Sequence, residues 1–426
     1  MNVPVYPSYK DSGIDWLGEI PAHWPVNAIK RIVSLRSGEA ITSDSITHEG
    51  DYPVFGGNGQ RGYTSSYTHD GVYVLIGRQG ALCGNVNYAS RRFWASEHAI
   101  VAAPIKPLQT FWLGELLRSM NLNQYSVAAA QPGLSAEALG NLQVPIPPLP
   151  EQAAIAAFLE RETAKIDALV EEQRRLIALL KEKRQAVISH AVTKGLNPDA
   201  PMKDSGIEWL GEVPAHWEVT ALKRLCANIT DGAHISPETE GGTRSFVSTK
   251  DVSEVGIDFV GCLLTTEASY DYLVRTGCQP IDGDVLFSKD GTIGRTTVVR
   301  GAKEFVVASS LIIIRPNHEA LDADFLHYLS QSTFVKNQVE SFVKGAGLPR
   351  LSIQNLLRVV GVFPPLEEQA AIAQWLASLS GDFMLLVNEA EGAISLLLER
   401  RSALISAAVT GKIDVRGLVT RQAEAA

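Results

Sequence analysis

The chain contains two copies of the same sequence block, and this duplication constrains its fold more than any other feature. The segment Lys10–Ile32 (KDSGIDWLGEIPAHWPVNAIKRI) recurs as Lys203–Leu225 (KDSGIEWLGEVPAHWEVTALKRL), with about 17 of 23 positions identical. A second pair follows in the same order, Ile146–Leu159 (IPPLPEQAAIAAFL) and Phe363–Leu376 (FPPLEEQAAIAQWL). Each half of the 426-residue chain therefore consists of a leading segment, a variable stretch and a helical stretch.

Each Pro-Pro box is expected to start a long helix, because proline before a helix and an acidic first turn both favour initiation. About 40 helical residues extend about 60 Å, which is too long for a helix inside one compact domain. We predict two antiparallel spacer helices that relate the two halves by a pseudo-two-fold axis, with two helices of an ordinary bundle as the alternative. The predicted coiled-coil seams are Ile155, Leu169 and Leu176 with Leu159, Ile166, Leu180 and Val187, and Ile372, Leu379 and Leu386 with Leu376, Phe383, Leu397 and Leu404.

The variable stretches alternate strand-like and helix-like patterns. Runs such as Asp70–Gly77 and Val306–Ile314 are rich in β-branched and aromatic residues, whereas Thr110–Asn121 and Asp324–Asn337 carry apolar residues at helical spacing. The sequence therefore predicts an α+β chain with two mixed α/β domains joined by two long antiparallel coiled-coil helices. The expected parts are a leading segment (1–25), domain 1 (26–145), spacer helix 1 (146–195), a linker with the repeated leading segment (196–217), domain 2 (218–362), spacer helix 2 (363–412) and a C-terminal tail (413–426).

Composition limits the classes of protein that the chain can represent. Hydrophobic residues make up 45% and charged residues 20%, and no stretch is expected to reach the roughly 20 apolar residues of a membrane span. The N-terminus lacks the pattern of a secretory signal, so we expect a cytoplasmic prokaryotic protein. The four cysteines are far apart, which favours reduced thiols over disulfides or a metal site: Cys83, Cys226, Cys262 and Cys278.

Charge bears on nucleic-acid binding. The formal net charge is -9, with a slight basic excess between Val26 and Thr110 and an acidic excess between Glu218 and Pro316. Because affinity for DNA comes largely from neutralised phosphates, a chain that binds DNA with this charge needs local basic loops or a basic partner.

Catalytic motifs are not apparent in the sequence. Gly57–Gly62 fits G-x-G-x-x-G, but the residues Tyr63–Tyr67 that follow are not typical of the helix that a dinucleotide fingerprint must open. Gly411-Lys412 lacks the rest of a phosphate-binding loop, both Pro-Pro pairs are followed by leucine rather than the aromatic residue of an adenine methyltransferase, and no D/E-x-K nuclease triplet occurs. We interpret the adjacent Glu97 and His98 as structural. The sequence therefore predicts no catalytic residues and no metal site.

Taken together, the motifs resemble the specificity subunits of type I restriction-modification enzymes. The resemblance spans essentially the whole chain and rests on the two leading boxes, YPVFGGNGQRGYT, IGRQGALCGNV, FWASEHAIV, GDVLFSKDGTIGRTTVV and the two Pro-Pro boxes, in that order. It implies two target-recognition domains that each read half of a bipartite double-stranded DNA site, on spacer helices that dock two modification (methyltransferase) subunits. It further implies no cofactor in this chain, with S-adenosylmethionine, ATP and magnesium held by the modification and restriction/translocase subunits.

The alternative to a DNA reader is a duplicated scaffold whose variable domains bind protein partners. The two hypotheses differ in DNA binding by the assembled complex. A reader should bind DNA in a way that depends on sequence and salt, whereas a scaffold should show neither dependence. Because the two variable domains differ in sequence, a reader should recognise an asymmetric target.

Candidate DNA-binding residues are polar side chains on the Gly-rich loops, since arginine pairs with guanine and asparagine or glutamine with adenine. For each residue the alternative is a solvated loop side chain or a hydrogen bond that closes its own turn. The candidates for base contacts are Asn58, Gln60, Arg61, Arg78 and Gln79 in the first domain and Lys250, Lys289, Asp290 and Arg295 in the second, with Arg91, Arg92, Lys344 and Arg350 as phosphate contacts.

The repeated boxes also offer a partner interface. We predict that Trp24, Gln152, Trp217 and Gln369 contact the modification subunits, because aromatic side chains are enriched at interface hot spots. The alternative is that the two tryptophans close the junctions between domains.

Overall fold

The computed structural model describes residues 4–80, 82–126, 133–301, 303–343 and 350–418. The chain divides into two compact units, Met1–Gln173 with Glu391–Ala426, and Arg174–Ala390. Each unit contains one leading segment, one variable domain and a part of each long helix. The predicted α+β fold with two long helices is confirmed.

The first unit is built on two four-stranded sheets. β1 pairs with β2 in the leading segment, and β3 pairs with β12, so that the two ends of the variable domain meet. The sheet orders are β4-β11-β8-β9 and β6-β5-β10-β7. The strands are β1 (Tyr9–Asp11), β2 (Glu19–Pro21), β3 (Val26–Ala28), β4 (Val33–Ser37), β5 (Tyr52–Gly56), β6 (Gly59–Thr64), β7 (His69–Asp70), β8 (Tyr73–Gly77), β9 (Val86–Ala89), β10 (Arg92–Ala95), β11 (Ala99–Pro104) and β12 (Gln143–Pro145).

Helices cover the first of these sheets. α1 (Thr110–Ser119) buries Trp112, Leu113, Leu116 and Leu117, whose spacing places them on one helical face. The short helix α2 (Ala136–Asn141) begins at Ser135, whose hydroxyl accepts a hydrogen bond from the Ala138 amide. The first long helix, α3 (Leu149–Lys194), follows directly on β12.

The second unit repeats this plan. Its main sheet has the order β16-β24-β21-β22, the counterpart of β4-β11-β8-β9, and a smaller sheet has the order β20-β17-β23. The strands are β13 (Met202–Asp204), β14 (Glu212–Pro214), β15 (Glu218–Ala221), β16 (Cys226–Asp231), β17 (Arg244–Val247), β18 (Val252–Ser253), β19 (Gly256–Ile257), β20 (Leu263–Thr265), β21 (Val285–Ser288), β22 (Thr296–Val298), β23 (Phe305–Val307), β24 (Leu311–Pro316) and β25 (Val360–Phe363). The helices are α4 (Glu267–Arg275), α5 (Ala323–Gln331), α6 (Thr333–Phe342), α7 (Ile353–Leu356) and the second long helix, α8 (Leu366–Val409).

One predicted helix is divided in two. The apolar pattern of Asp324–Asn337 suggests a single helix, but Ser332 takes an extended conformation between α5 and α6. Its hydroxyl accepts a hydrogen bond from the Val335 amide and so caps α6. Helical periodicity continues across the break because both helices bury apolar faces in the same core.

The two long helices run antiparallel within each unit. In the first unit, Asp167 of α3 forms an ion pair of 2.9 Å with Arg401 of α8, and the start of α3 shares a core with the end of α8. In the second unit, the end of α3 shares a core with the start of α8. Both pairings join the beginning of one helix to the end of the other, as the antiparallel prediction requires.

The seam of the long helices differs from the predicted one by a single row. Leu169, Leu176 and Leu386 were predicted to be in the seam but are 45%, 43% and 48% exposed. Each seam consists of two rows of positions that repeat every seven residues. One row, which includes Leu159 and Ile166 in α3, is the predicted one, but the other row follows it by four residues instead of three. This other row includes polar side chains, so the apolar pattern of the sequence favours the outward-facing leucines instead. The buried or half-buried seams are Leu159, Thr163, Ile166, Val170, Gln173, Ile177, Leu180, Arg184, Val187 and Ala191 in α3, and Leu376, Ser380, Phe383, Val387, Ala390, Ile394, Leu397, Arg401, Leu404 and Ala408 in α8.

The helix α8 is more apolar than expected. By length and composition it is the one helix among the described residues that could cross a membrane, with a mean hydropathy of 1.4 over a window that is 22% buried. This corrects the expectation that no stretch approaches a span. A single helix of this kind is weak evidence for a span, because a core helix of similar composition passes the same test.

Stability of the second unit should fall in acid because of His327 on α5. Burial lowers the pKa of this imidazole to about 4, from 6.5, and its Nδ1 lies 3.0 Å from the Thr296 hydroxyl. Between these two pH values the unfolded chain binds a proton at His327 more readily than the folded chain does. The contribution of the neutral imidazole to the free energy of unfolding is therefore complete above about pH 6.5 and is lost as the pH falls towards 4. We expect the free energy of unfolding to drop by about 2 kcal/mol more between pH 7.5 and 5 in the native chain than in His327→Asn.

Urea unfolding at the two pH values measures this difference. His48→Asn is the control, since His48 is exposed. An unchanged pH dependence in His327→Asn would contradict the assignment of the acid sensitivity to this residue.

Candidate nucleic-acid interface

The leading segment of the first unit is fixed to the first turn of α3. Trp24 is fully buried, and its indole N–H donates to Oε2 of Glu151 at 2.9 Å. The Tyr6 hydroxyl donates to the same oxygen at 3.1 Å, and Nε2 of His23 lies 2.7 Å from the other oxygen. Burial and the Glu151 carboxylate raise the pKa of Tyr6, so its hydroxyl remains a donor. This cluster explains why the leading box and the Pro-Pro box recur together.

The second unit contains the same arrangement. The Trp217 indole is buried and donates to Oε1 of Glu368 at 3.2 Å, while Nε2 of His216 lies 2.7 Å from Oε2. The predicted role of Trp24 and Trp217 as partner contacts is therefore wrong, because both side chains are enclosed by their own unit. The alternative, that they close junctions within the chain, describes the structure.

The paired glutamines are also internal. Gln152 accepts a hydrogen bond from the Gln109 amide at 3.0 Å, and Gln369 accepts one from the Asp322 amide at 2.9 Å. Each donates to the carbonyl oxygen of the first proline in its Pro-Pro pair, at 2.9 Å in both units. Because both glutamines are buried, they join the variable domain to the helix start and do not form the predicted partner interface.

Three loops of the first variable domain meet at one place. They are the β5–β6 turn, the β8–β9 loop and the β10–β11 turn, and they approach closely because glycines face one another. A Cβ atom added at Gly77 would lie 2.4 Å from the Gly57 carbonyl oxygen, and one added at Gly57 would lie 3.3 Å from the His98 carbonyl oxygen. Side chains larger than hydrogen at these positions would push the loops apart.

The meeting loops form a recess of about 440 Å³ that contains four of the predicted base-reading residues. Arg61 is exposed, and its aliphatic part lies across Gly56, where an added Cβ would approach the arginine Cδ to 2.5 Å. Oδ1 of Asn58 accepts a hydrogen bond from Nδ2 of Asn85 at 2.8 Å. The polar lining consists of Asn58, Gln60, Arg61, Gln79 and His98, with Leu82 as the apolar member.

Leu82 and His98 line the recess but are not among the base-reading candidates, and the sequence favours a structural role for His98. The available signals were the position of Leu82 between Gly80 and Gly84 and that of His98 directly before β11. The fifth predicted reader of this domain, Arg78, is half-buried and supports the loops through its backbone. Its amide donates to the His98 carbonyl at 2.9 Å, and its carbonyl accepts from the Leu134 amide at 2.9 Å.

The second domain repeats this backbone frame with different side chains. The Lys289 amide donates to the Ser310 carbonyl at 2.9 Å, and the Lys289 carbonyl accepts from the Leu351 amide at 2.9 Å. Lys289 therefore takes the place of Arg78, and Asp290 takes that of Gln79. Lys250, which is exposed, follows β17 as Asn58 follows β5.

The charges of the second frame are largely paired within the domain. The Lys289 side chain is buried and forms an ion pair with Asp231, so the prediction that Lys289 reads a base is not supported by this geometry. Arg295 is half-buried and donates to the Val252 carbonyl at 2.9 Å. Asp290 forms an ion pair with Arg350 at 3.1 Å, and both remain accessible enough to exchange this pairing for a base or a phosphate.

The predicted phosphate contacts of the first domain lie apart from the recess. Arg91 and Arg92 stand at the start of β10, whereas the recess turn follows the end of that strand. Arg91 is exposed, and Arg92 forms an ion pair with Asp70 at 3.0 Å and covers the Tyr67 ring at 4.9 Å. Lys344 lies outside the described residues.

Potential metal ligands are scattered. Among the described residues, no group of three or more His, Cys, Asp or Glu side chains is arranged to hold a metal ion. Burial raises the pKa of the thiols of Cys83, Cys226 and Cys278. Raised thiol pKa values are typical of structural cysteines and not of nucleophiles or metal ligands.

Comparison with known proteins places this architecture in a family. The family model described as type I restriction modification DNA specificity domain matches residues 21–177 and 214–390. The type I restriction enzyme EcoprrI specificity subunit of Escherichia coli is 40% identical over 147 residues, which cover 34% of this chain and 37% of that relative. The putative type I restriction enzyme specificity subunit S.HindORF215P of Haemophilus influenzae is 26% identical over 379 residues, covering 88% of this chain and 91% of the relative.

A solved structure has the same fold. It comes from work on complex assembly and conformational transition of the type I R-M system, and the two chains agree with a TM-score of 0.69 at 16% identity, covering 92% of this chain and 98% of that one. The family model alone covers more than half of the sequence and occurs twice, in agreement with the duplication. The chain therefore belongs to the family of type I restriction-modification DNA specificity proteins.

Proposed function

We propose that this chain is the sequence-reading subunit of a type I restriction-modification complex, and that each variable domain reads one half of a bipartite DNA site. The observation that carries the proposal is the recess of the first domain, where asparagine, glutamine and arginine side chains from neighbouring loops come together. These side chains make the hydrogen bonds that distinguish adenine and guanine in the major groove. The repeated backbone frame of the second domain supports a second reader.

The two readers should recognise different bases. The first recess offers amide groups and Arg61, whereas the second frame offers Lys250, Asp290 and Arg350. A carboxylate accepts a hydrogen bond from cytosine, and arginine donates to guanine. The target is therefore asymmetric, with half-sites set by loops that differ while the framework stays the same.

The acidic character of the chain points to shared DNA binding. With a net charge of -9 and several basic side chains of the second domain paired internally, this chain supplies few phosphate contacts of its own. Partner subunits would contribute the remaining electrostatic attraction. We accordingly propose that specific binding requires the assembled complex.

Binding of DNA by the purified complex tests the proposal against the scaffold alternative. We expect affinity for one sequence to exceed that for random duplex by about 10³-fold or more, and to fall steeply between 50 and 200 mM salt. A complex that contains the chain but binds all duplexes equally, or binds none, would support a protein scaffold instead.

The surfaces of the long helices suit two copies of one partner. Leu169 of α3 and Leu386 of α8 occupy equivalent positions of the duplicated helices, and both are about half exposed. Leu179 and Leu396 form a second equivalent pair, 52% and 67% exposed. We propose these repeated apolar faces as the docking sites of two modification subunits, because equivalent surfaces bind equivalent partners and exposed apolar patches mark interfaces.

Charge substitution on these faces should reduce the number of bound partners. Leu169→Glu or Leu386→Glu alone should leave one modification subunit bound, and the double variant none, because a buried hot-spot contact is worth about 2 kcal/mol or more, roughly 30-fold in affinity. Mass measurement of the purified complex reads the stoichiometry. Leu263→Glu, at a leucine that is 47% exposed on β20, is the matched control. Two bound subunits in the double variant would exclude these faces.

Catalysis is assigned to the partners in this proposal. The chain acts as a non-catalytic subunit in the cytoplasm, while S-adenosylmethionine, ATP and magnesium bind to the modification and restriction subunits. The lack of a recognisable methyltransferase, nuclease or nucleotide-binding motif in the sequence supports this division. Purified chain without partners should neither methylate nor cleave DNA.

A further inference from the structure

One residue of the first recess differs in character from its neighbours. Leu82 is 45% exposed, although it lies among asparagine, glutamine, arginine and histidine side chains. Single exposed leucines are common on protein surfaces and need no function. This leucine stands out because it lies inside the recess, where the remaining side chains suit the polar edges of bases.

The loop holds Leu82 in a fixed place. The next residue, Cys83, is buried in the core and its thiol donates to the Arg78 carbonyl at 3.4 Å. The Leu82 carbonyl accepts a hydrogen bond from the Asn85 amide at 3.1 Å and packs against Gly77, where an added Cβ would lie 2.7 Å from it. The Leu82 backbone is therefore tied to Asn85 and lies close to Gly77, and such pre-organisation lowers the entropy cost of a contact at the recess.

We propose that Leu82 is a specificity-determining residue that contacts the C5-methyl group of a thymine in the half-site read by the first domain. This inference rests on the reading function proposed above. The thymine methyl is the apolar group that a base pair presents in the major groove. The surrounding side chains, Gln79 and Arg61 among them, would occupy the hydrogen-bonding groups of the same and neighbouring bases.

The corresponding loop of the second domain, residues 288–295, is described throughout and presents no exposed apolar side chain. This loop, Ser288 to Arg295, is one residue shorter than the loop from Gly77 to Asn85. The apolar residue of that loop, Ile293, is half-buried and packs against the core of its unit. A methyl contact from this loop is therefore expected in the half-site of the first domain and not in that of the second.

Replacement of thymine by deoxyuridine tests the contact, since it removes only the methyl group. With the assembled complex, single substitutions are made at each thymine of the target and equilibrium affinity is measured. We expect about fourfold weaker binding at one thymine of the first domain's half-site, the effect of one buried methyl group. In Leu82→Ala this loss should disappear, while thymines of the other half-site behave alike in both proteins.

Leu263→Ala is the matched control, because this exposed leucine lies outside the recess, and it should keep the native response to deoxyuridine. Three results would each overturn the inference: a half-site of the first domain that contains no thymine, a native complex that responds to deoxyuridine at none of the thymines in that half-site, or a Leu82→Ala variant that keeps the native response. If the native complex bound all duplexes with equal affinity, the proposed reading function itself would be refuted. The two failures are therefore distinguishable.

Discussion

Trp24→Ala is expected to lower the free energy of unfolding of the first unit by about 3–5 kcal/mol, the usual cost of removing a buried tryptophan. The indole is fully enclosed, and its loss also removes a hydrogen bond to Glu151, a carboxylate that is itself largely buried. Trp24→Phe should cost less, about 1–3 kcal/mol, because it keeps most of the apolar contact but leaves the carboxylate without this donor. Denaturant unfolding followed by fluorescence measures both.

The matched control is Trp16→Ala in the same leading segment, where the side chain is 38% exposed and the expected change is below about 1 kcal/mol. The same variants separate the two interpretations of Trp24. An interface residue would lose partner binding with little change in stability, whereas a junction residue loses stability first. Equal unfolding midpoints for Trp24→Ala and Trp16→Ala would contradict the structural account.

Arg61→Ala is expected to weaken binding of the cognate site by the assembled complex by about 1–3 kcal/mol, roughly 5- to 150-fold. The loss should be confined to one half-site and should relax discrimination at one base pair, because Arg61 lines the recess of a single domain. Competition binding against a panel of single base-pair changes measures it.

Lys106→Ala is the control for charge alone. Lys106 is exposed and follows the end of β11, whereas the recess turn precedes the start of that strand. Removal of the Lys106 charge should therefore lower the affinity for all duplexes slightly and equally. A loss spread over both half-sites in Arg61→Ala would contradict the assignment of one domain to one half-site.

The fold class is predictable from the sequence because the duplication and the strand-like and helix-like patterns of the variable stretches indicate the same arrangement. The repeated boxes mark the start of each domain and each helix, and the heptad spacing predicts the pairing of the helices. The phase of the seam was not predictable from hydrophobicity, since Leu169 and Leu176 face outwards while Thr163 and Arg184 lie in the seam. A helix with apolar residues on two faces has two possible seams, and only tertiary packing selects one.

The candidate site was predictable in the first domain and less so in the second. Asn58, Gln60, Arg61 and Gln79 come together because glycines bring their loops into contact, and the glycines are visible in the sequence. Lys289 occupies the equivalent loop but is buried against Asp231, a partner 58 residues away in the chain. Such long-range ion pairs cannot be inferred from local loop composition.

The buried boxes show a second limit. The sequence predicts Trp24 and Gln152 as partner contacts because they lie in repeated boxes and aromatic side chains are enriched at interface hot spots. Glu151 accepts the tryptophan donor and Gln152 accepts the Gln109 amide, so both serve the junction between domain and helix. The boxes recur because each unit needs the same junction between its variable domain and the start of its long helix.

Reading of the two halves of one DNA site by two different domains is the main function proposed for this chain. Its most direct test is to express the chain with its methyltransferase partner and to map methylated bases across the host genome by single-molecule sequencing, with and without the chain. We expect a bipartite asymmetric motif that disappears when the chain is deleted, and that changes in one half only when the recess loops of the first domain are replaced. Methylation that is unchanged on deletion, despite an active methyltransferase, would contradict this function.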